Sequence, residues 1–377
     1  MENPGNVSVG FCLLPSELIQ YILVNLAFPE IIRLKSLNKS ISQLISDQVF
    51  IRDYNSRSKS TSWLFVYKKR WHRDAVLHGF SDHSDRWFKL QIANLLKPII
   101  PPGETIYFLA STANIFLFSC NTLKEVIAVD LGNKTVKKIP ESPLGPRGTS
   151  SWRRSGMKLV GGSDSFRFLF AELVNEQPVL YVYSSESGRW QTKVAEAEVS
   201  DRIERDKGDC IFVNVVNGPH ESVIISVGLE SYEDPVVIRA RLRLNGGGEN
   251  VIDKLHVYGD GQMLIIKSKA EREGRMLNEI EVWGLGREWE WELKTRVPKR
   301  IIEEIKKEYR VIMGCLEKRE GVIRVALMSN YEGLWDIIWL SYHIEACYWT
   351  WIPLPNITTN MKGLNMAGIS FSSSLTL

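Results

Sequence analysis

The side chains best suited to holding a metal ion lie in one short run of the sequence, HGFSDHSD. This run contains His78, Asp82, His83 and Asp85. Imidazole nitrogens and carboxylate oxygens are common metal ligands, so the four residues have the chemistry of a metal site. A polar hairpin turn before Trp87 is the better explanation and the one we prefer, because Asp, Ser and Gly are the usual turn formers. We therefore expect no metal and no other cofactor.

Motifs of the common enzyme classes are absent from the sequence. It has no Gly-x-Ser-x-Gly elbow, no Walker loop and no Gly-x-Gly-x-x-Gly after a strand. The six histidines show no zinc spacing. The cysteines are far apart and form no CxxC pair, which indicates buried thiols in a reducing compartment; they are Cys12, Cys120, Cys210, Cys315 and Cys347. We predict a chain that is not an enzyme.

Two basic segments have the composition of contact sites. KKRWHR at 68–73 is a candidate nuclear-import or phosphate-facing loop, although a solvated strand connection is the simpler interpretation. PLGPRGTSSWRRSG at 143–156 is rich in Gly, Pro and Ser and also carries Trp and Arg, the residues most enriched at interface hot spots. A plain linker between structural units is the alternative. The candidate target-binding residues of this segment are Arg147, Trp152, Arg153 and Arg154.

The composition is that of a soluble globular protein. Apolar residues make up 44% of the 377 residues and charged residues 24%, with a net charge of +3. Such a small net charge gives no general case for binding nucleic acid or a membrane, and neither is expected as a direct partner. The first residues lack the basic and apolar regions of a secretory signal, so the nucleus, the cytoplasm or both is the expected location.

Residues 13–57 carry the strongest helical pattern in the chain. Leu18, Ile22 and Leu26 follow one another at i, i+4 and i+8. Pro15 and Pro29 stand where helices would begin. The pattern predicts three short helices, the third of which contains Ile41, Leu44, Ile45 and Val49. A unit this small buries only ~60% of its surface, so part of its apolar surface is expected to meet a partner or the next domain.

This segment resembles an F-box. The matching features are Leu14-Pro15, Glu17-Leu18, Ile22-Leu23, Leu26, Arg33-Leu34, Lys39 and Leu44-Ile45 before Phe50. Where many F-boxes have Val-Cys-Lys-x-Trp, this chain has Leu37-Asn38-Lys39-Ser40-Ile41. The resemblance implies docking onto a Skp1-like adaptor and, through it, onto cullin 1 and a RING subunit. The residues implied in that contact are Leu14, Pro15, Leu18, Ile22, Leu23, Leu26, Ile31, Leu34, Leu37, Ile41 and Leu44.

From Trp63 onwards short apolar runs separated by turn residues replace the helical spacing. They recur in six units that begin near 63, 106, 157, 210, 253 and 309. A repeat near 50 residues with about four short strands is typical of kelch-like propeller blades. A β-sandwich followed by another all-β domain is the alternative. The last residues, 363–377, are a candidate closing strand for the first blade.

The fifth unit resembles plant F-box proteins with a kelch-like propeller. Its matching features are the Tyr-Gly turn at 258–259, Val-Trp-Gly-Leu at 282–285 and a Trp-containing strand that ends before Pro298.

The predicted fold is mainly β with an N-terminal α domain: a three-helix F-box, then a kelch-like propeller of about six four-stranded blades, seven being the alternative. The predicted divisions are a flexible leader at 1–12, the F-box at 13–57 and the propeller at 58–377, with a linker at 53–62 and one further helix at 298–310.

The resemblance implies a substrate-recognition subunit of an SCF ubiquitin ligase, which binds Skp1 through the F-box and an unknown target protein through a loop face of the propeller. Two other functions stay open. One is an F-box and propeller scaffold, for example a transcriptional cofactor, that does not act through degradation. The other is a propeller enzyme or sugar binder, which the missing catalytic motifs argue against.

Overall fold

A computed structural model gives the structure of the chain. It describes residues 14–58, 61–69, 75–120, 125–141, 143, 157–162, 164–197, 210–217, 221–228, 235–243, 251–258, 264–271, 277–286, 290–305, 311–331, 334–354, 365–373 and 375–377. The leader predicted at 1–12 lies outside these residues, as do Arg147, Trp152, Arg153 and Arg154.

Four helices make up residues 14–58, which we call the helical segment. They are α1 Ser16–Val24, α2 Phe28–Leu34, α3 Lys39–Ile45 and α4 Gln48–Ser58. Side chains at the helix starts accept hydrogen bonds from backbone N–H groups that have no partner within the helix. Glu30 Oε2 accepts from the Ala27 N–H at 3.0 Å, Asn38 Oδ1 from Ile41 at 2.9 Å, and Asp47 Oδ1 from Val49 at 2.9 Å.

The structure corrects two sequence predictions here. The predicted third helix is two helices, because α3 ends at Ile45 and Asp47 caps a new one. The predicted linker at 53–62 is wrong in its first part, since α4 continues to Ser58. Phe50 and Tyr54, one turn apart, are both buried, and the Tyr54 hydroxyl donates to the Leu26 carbonyl at 3.3 Å. Burial of these two aromatic side chains stabilises α4, although the rest of its sequence is mostly polar.

Six antiparallel sheets follow the helical segment. The strands are β1 Ser62–Lys69, β2 Val76–Ser81, β3 Arg86–Gln91, β4 Ile106–Thr112, β5 Ile115–Cys120, β6 Val126–Asp130, β7 Thr135–Ile139, β8 Lys158–Gly161, β9 Phe166–Val174, β10 Gln177–Ser184, β11 Arg189–Val194, β12 Cys210–Asn217, β13 Glu221–Gly228, β14 Val237–Arg243, β15 Val251–Tyr258, β16 Leu264–Glu271, β17 Leu277–Leu285, β18 Trp291–Arg296, β19 Val311–Arg319, β20 Val322–Tyr331, β21 Leu334–His343, β22 Tyr348–Ile352 and β23 Asn365–Ser373. The predicted apolar runs are strands, with ends shifted by a few residues.

The sheets are the six blades of a β-propeller. Blade 1 has the order β23-β1-β2-β3, and blades 2, 3, 5 and 6 are β4–β7, β8–β11, β15–β18 and β19–β22. Blade 4 has three described strands, β12–β14, and residues 244–250 after them lie outside the described part. The closing strand is confirmed: β23 pairs antiparallel with β1, and Leu64 faces Phe371 in the register. The last strand of the chain therefore completes the first blade and removes its free edge.

Apolar residues from facing sheets form the cores between blades. Blades 6 and 1 share a cluster that includes Leu64, Phe80 and Trp339, and blades 2 and 3 share one that includes Leu117 and Phe168. Strands packed on both faces explain the continuous apolar runs in the sequence. Trp190, which stands just after a hairpin turn, packs against Phe168 in the cluster between blades 2 and 3.

Two further helices are described outside the helical segment. α5 (Ala93–Leu96) follows β3 and was not predicted. α6 (Lys299–Ile305) lies at the predicted helix, of which residues 306–310 fall outside the description. Its apolar face, Ile301, Ile302 and Ile305, is buried in the cluster between blades 5 and 6, as the spacing predicted.

Candidate functional site

Large exposed apolar side chains concentrate in the helical segment. In the described residues, five of nine such side chains lie between Leu18 and Val49. The other four are spread singly over the propeller, at Val174, Val194, Leu293 and Tyr348. Single exposed apolar residues are ordinary on a protein surface, whereas a group of them marks an interaction surface. The helical segment is therefore the best candidate for a docking site.

The first part of this surface is a ridge along α1. Leu18 is 51% exposed, Tyr21 65% and Ile22 38%. Residues at i, i+3 and i+4 lie on one side of a helix, so these three side chains form one continuous apolar edge, which we call the α1 ridge. The neighbouring Leu23 points the other way and is fully buried in the core.

A groove of about 400 Å³ between α1 and α4 forms the second part. The apolar side chains of Tyr21, Val24, Val49 and Phe50 line it, and its polar lining comes from Glu17, Gln20, Asp53, Ser56 and Arg57. Arg57, one of the lining residues, bridges α4 to the residue after α1, because its Nη1 donates to Asn25 Oδ1 at 2.8 Å. Tyr21 belongs to both the ridge and the groove and makes them one surface.

The third part of the surface is the turn between α2 and α3, which exposes one apolar side chain. Leu37 is 70% exposed, and Lys35 and Lys39 on either side of it are exposed too. Local hydrogen bonds hold the turn: the Leu37 N–H donates to the Leu34 carbonyl at 3.0 Å, and the Ser36 hydroxyl donates to the Arg33 carbonyl at 2.7 Å. An apolar tip between two cations suits an apolar pocket with an acidic rim.

The eleven residues predicted to contact an adaptor occupy three environments. Leu23, Ile31 and Ile41 are buried in the chain's own core, where they support the helices and do not reach a partner in this conformation. Leu14, Leu26, Leu34 and Leu44 are half-buried. Pro15, Leu18, Ile22 and Leu37 are exposed. Only this last group, with the half-buried residues beside it, is available for contact, and its binding role stays a prediction.

Sequence reasoning missed Tyr21 and Val49 as surface residues. Tyr21 stands three residues after Leu18, and this spacing could have placed it on the same side of α1. Val49 was assigned to the apolar face of the third predicted helix, whereas it begins α4 and is 59% exposed. The cap at Asp47 moves Val49 to the surface, and the sequence pattern alone did not show that break.

The helical segment is joined firmly to the propeller. Leu23, Phe28 and Ile31 share one hydrophobic cluster with Phe65 and Phe116 of blades 1 and 2. At the edge of β3, Glu30 forms an ion pair with Arg86, and Arg33 Nη2 donates to the Lys89 carbonyl at 3.2 Å. The Arg86 guanidinium also lies 4.7 Å from the centre of the Phe88 ring. The α1 ridge and the groove therefore have a fixed orientation relative to the blades.

The run HGFSDHSD forms the hairpin turn that we preferred. His78 is buried within β2, whereas His83 and Asp85 are exposed in the turn, where the Asp85 N–H donates to the Ser81 carbonyl at 3.0 Å. Asp82 Oδ1 accepts from the Ser62 N–H at 3.0 Å. Among the residues that the structure describes, no group of three or more His, Cys, Asp or Glu is arranged to hold a metal.

Asp82 belongs to a charged network between blades 1 and 6. Its Oδ2 lies 3.6 Å from Arg324 Nη2, and Glu317 Oε2 accepts from the Ser62 hydroxyl at 2.8 Å. Glu317 Oε2 is also 3.8 Å from Arg324 Nη1. Burial raises the pKa of both carboxyl groups, and the cation of Arg324 opposes that rise. The network lies where the ring closes and has a structural role.

No disulfide links the cysteines that the structure describes. Cys120 is buried, and burial raises its pKa to about 12, so it is inert. Cys347, in contrast, is exposed in the turn between β21 and β22, which corrects the prediction that the thiols are buried. No helix in the described part of the chain has the length and hydropathy needed to span a bilayer.

Comparisons with known proteins add little to this description. No protein-family model matches the chain, and no curated protein matches it as a relative. Among solved structures, a chain of a nidogen/laminin complex is 9% identical over 83% of this chain and 99% of its own, with a TM-score of 0.43. The Cps50 (Swd1) β-propeller domain of Myceliophteria thermophila is 12% identical over 78% and 84% of the two chains, with a TM-score of 0.40. A prolyl endopeptidase is 10% identical over 67% of this chain and 37% of its own, with a TM-score of 0.31. Such low similarity says nothing about function, so the six-bladed propeller is established here by its own sheet order.

Proposed function

We propose that the chain is a substrate receptor of an SCF-type ubiquitin ligase. The helical segment binds a Skp1-like adaptor through the α1 ridge, and the propeller binds a target protein. The observation that carries the proposal is the exposed apolar ridge, which lies in the same residues whose sequence resembles an F-box. Leu18 and Ile22 belong both to that resemblance and to the ridge.

The chain itself performs no chemistry in this proposal. A separate RING subunit and its ubiquitin-charged partner enzyme transfer ubiquitin to a lysine of the target. The chain holds the target near them, so its contribution to the rate is proximity and orientation. The firm junction between the helical segment and blades 1 and 2 supports this role, because a loosely tethered target would sample many unproductive orientations.

The segment at 143–156 remains the proposed target contact. Arg147, Trp152, Arg153 and Arg154 supply the residue types that dominate interface energies, and charge reversal at the three arginines is the direct test. We expect a triple Arg→Glu variant to keep its adaptor binding and to lose its target. A target captured equally well by this variant would place the contact elsewhere on the propeller.

Co-purification with a Skp1-like adaptor tests the proposed function. We expect wild-type protein to bind the purified adaptor and the double variant Leu14→Ala, Pro15→Ala to lose binding. Absence of wild-type binding at micromolar concentration would overturn the proposal. If the adaptor binds but the target's half-life is the same with and without the chain, the protein is a scaffold that does not act through degradation.

A further inference from the structure

The last three residues, Leu375 to Leu377, lie between the helical segment and the ring; we call them the tail. Leu375 is fully buried in the hydrophobic cluster that contains Phe50 and Tyr54 of α4 and Phe108 of β4. Leu377 is half-buried and packs against the same cluster. The two leucines of the tail therefore belong to a core that the helical segment shares with blades 1 and 2.

Hydrogen bonds attach the tail to α4. The Leu377 N–H donates to Asn55 Oδ1 at 2.8 Å, and the Asn55 side-chain amide donates to the Leu377 carbonyl at 3.4 Å. An asparagine side chain carries a carbonyl acceptor and an amide donor in one plane, so it can pair with the N–H and the backbone oxygen of one residue much as a neighbouring strand does. Asn55 is half-buried, which limits the competition from water.

A second asparagine attaches the tail to blade 2. The Thr376 N–H donates to Asn114 Oδ1 at 3.1 Å, and the Asn114 amide donates to the Thr376 carbonyl. Asn114 is buried in the turn between β4 and β5. Just before the tail, the Ser372 hydroxyl donates to the Ala113 carbonyl of the same turn at 3.1 Å. The tail is thus clamped between α4 and blade 2 by two similar amide pairs.

The tail is also the direct continuation of the closing strand β23. This strand pairs with β1 along its length and passes very close to β4, where a Cβ on Gly368 would overlap the Phe108 carbonyl oxygen. Only one residue, at position 374, separates the end of β23 from the tail, so we expect movement of β23 away from β1 to pull on both amide pairs and on the buried Leu375. By the same connection, we expect displacement of α4 to disturb the end of β23.

We propose that the tail couples closure of the propeller to the conformation of the docking surface. One wall of the groove beside the α1 ridge is formed by α4, so a ring that is open at β23 presents a loosened docking surface. A ligand that binds the ridge and groove in turn favours the closed ring, because linkage acts equally in both directions. The identity of that ligand as a Skp1-like adaptor rests on the proposed function; the coupling itself does not.

Hydrogen exchange on the free protein tests the coupling from the helical side. Asn55→Ala removes both bonds to Leu377 and leaves β23 unchanged in sequence. We expect amide exchange to become about five- to tenfold faster in β23 as well as in α4, which corresponds to losing hydrogen bonds of ordinary strength. Gln43→Ala, an exposed amide side chain on α3, is the matched control and should leave β23 unchanged. Faster exchange confined to α4 would overturn the proposal.

The reciprocal test starts from the closing strand. Ser372→Ala removes the bond to the Ala113 carbonyl, and Gly368→Ala forces β23 away from Phe108. Both should speed amide exchange in α4, the glycine variant more than the serine variant. Ser372→Ala is the milder change and decides the question if Gly368→Ala does not fold. Unchanged exchange in α4 with faster exchange in β23 would contradict the coupling.

A third measurement connects the coupling to the ligand. A saturating amount of purified Skp1-like adaptor should slow exchange in β23 of the wild-type protein and have less effect on β23 of Asn55→Ala. An adaptor that binds without protecting β23 would overturn the coupling and leave the proposed function intact. Failure of the adaptor to bind at all would overturn the proposed function, while the two tests on the free protein would still decide the coupling.

Discussion

The helical segment and the ring of blades use apolar residues in opposite ways. In the ring, apolar side chains of neighbouring blades face one another, as Trp339 of blade 6 faces Phe80 and Phe371 of blade 1 at ring-centre distances of 5.3 and 5.4 Å. In the helical segment one side of α1 is buried, while its other side carries the exposed α1 ridge. A repeated sheet can cover its own faces with its neighbours, whereas a short helical unit at the edge cannot. The uncovered face is where a partner is expected.

Truncation of Trp339 should have the largest effect and would sharpen this contrast. Trp339→Ala removes a fully buried indole side chain at the closure of the propeller, and we expect a loss of about 3–5 kcal/mol in the free energy of unfolding. Urea denaturation followed by near-ultraviolet circular dichroism measures it. The control is Leu293→Ala, a substitution at an exposed residue of the propeller, which should change the free energy of unfolding by less than about 0.5 kcal/mol. Equal losses in the two variants would contradict the packing described for the blades.

Two adjacent residues of α1 give the next largest effect. Leu23→Ala should cost about 2–4 kcal/mol because it opens a cavity beneath the helices, whereas Ile22→Ala should cost less than about 1 kcal/mol. The loss of adaptor affinity, in contrast, should be larger for Ile22→Ala than for Leu23→Ala. Thermal unfolding and a binding titration on the same samples compare the two. If Ile22→Ala destabilises the fold as much as Leu23→Ala does, the α1 ridge is not a free surface.

The charged network between blades 1 and 6 should give a smaller, pH-dependent effect. Burial raises the pKa of Asp82 and Glu317 in the folded state above their values in the unfolded chain. Their contribution to stability is therefore fully present below the unfolded pKa, about pH 4, and is lost as the pH rises through the folded pKa. We expect Asp82→Asn with Glu317→Gln to flatten this decline between acidic and neutral pH. Denaturation at several pH values measures it, and identical profiles for wild type and variant would be evidence against the assigned burial.

The surface pair at the junction should have the smallest effect. Arg86→Gln breaks the ion pair with Glu30, and since Arg86 is more than half exposed the loss should be under about 1 kcal/mol. The loss should also shrink at high salt, where exposed charges are screened. Urea denaturation at low and high ionic strength checks it. A loss of several kcal/mol would mean that the junction depends on this pair and not on its shared core.

Much of the fold could be predicted because each blade repeats one local pattern. Apolar runs such as FRFLFAEL and CIFVNVV, bounded by turn residues, gave the strands β9 and β12, and their spacing gave the blades. The closing strand was predicted from the open edge that a ring must cover. These features depend on local periodicity and on a simple topological rule, both of which are visible in a sequence.

The exposure of individual side chains in the helical segment was predicted less well, because periodicity shows that a helix has an apolar side and not what covers that side. Leu18, Ile22 and Leu23 all fit a broad apolar stripe, and only the packing on blades 1 and 2 decides that Leu23 turns inwards. The extension of α4 to Ser58 depends on Phe50 and Tyr54 meeting a core that the local sequence does not contain. The tail contacts Asn55 across more than three hundred residues of chain, and no local pattern reports such a contact.

The affinity of a purified Skp1-like adaptor for three forms of the chain tests the central claim most directly. Isothermal titration would compare wild type, the double variant Leu18→Glu with Ile22→Glu, and Val174→Glu, which places one acidic side chain on a comparably exposed apolar residue of blade 3. We predict that wild type and Val174→Glu bind alike and that the ridge variant loses at least about tenfold in affinity, the equivalent of 1.4 kcal/mol. Equal binding by all three forms, or by none, would contradict the account.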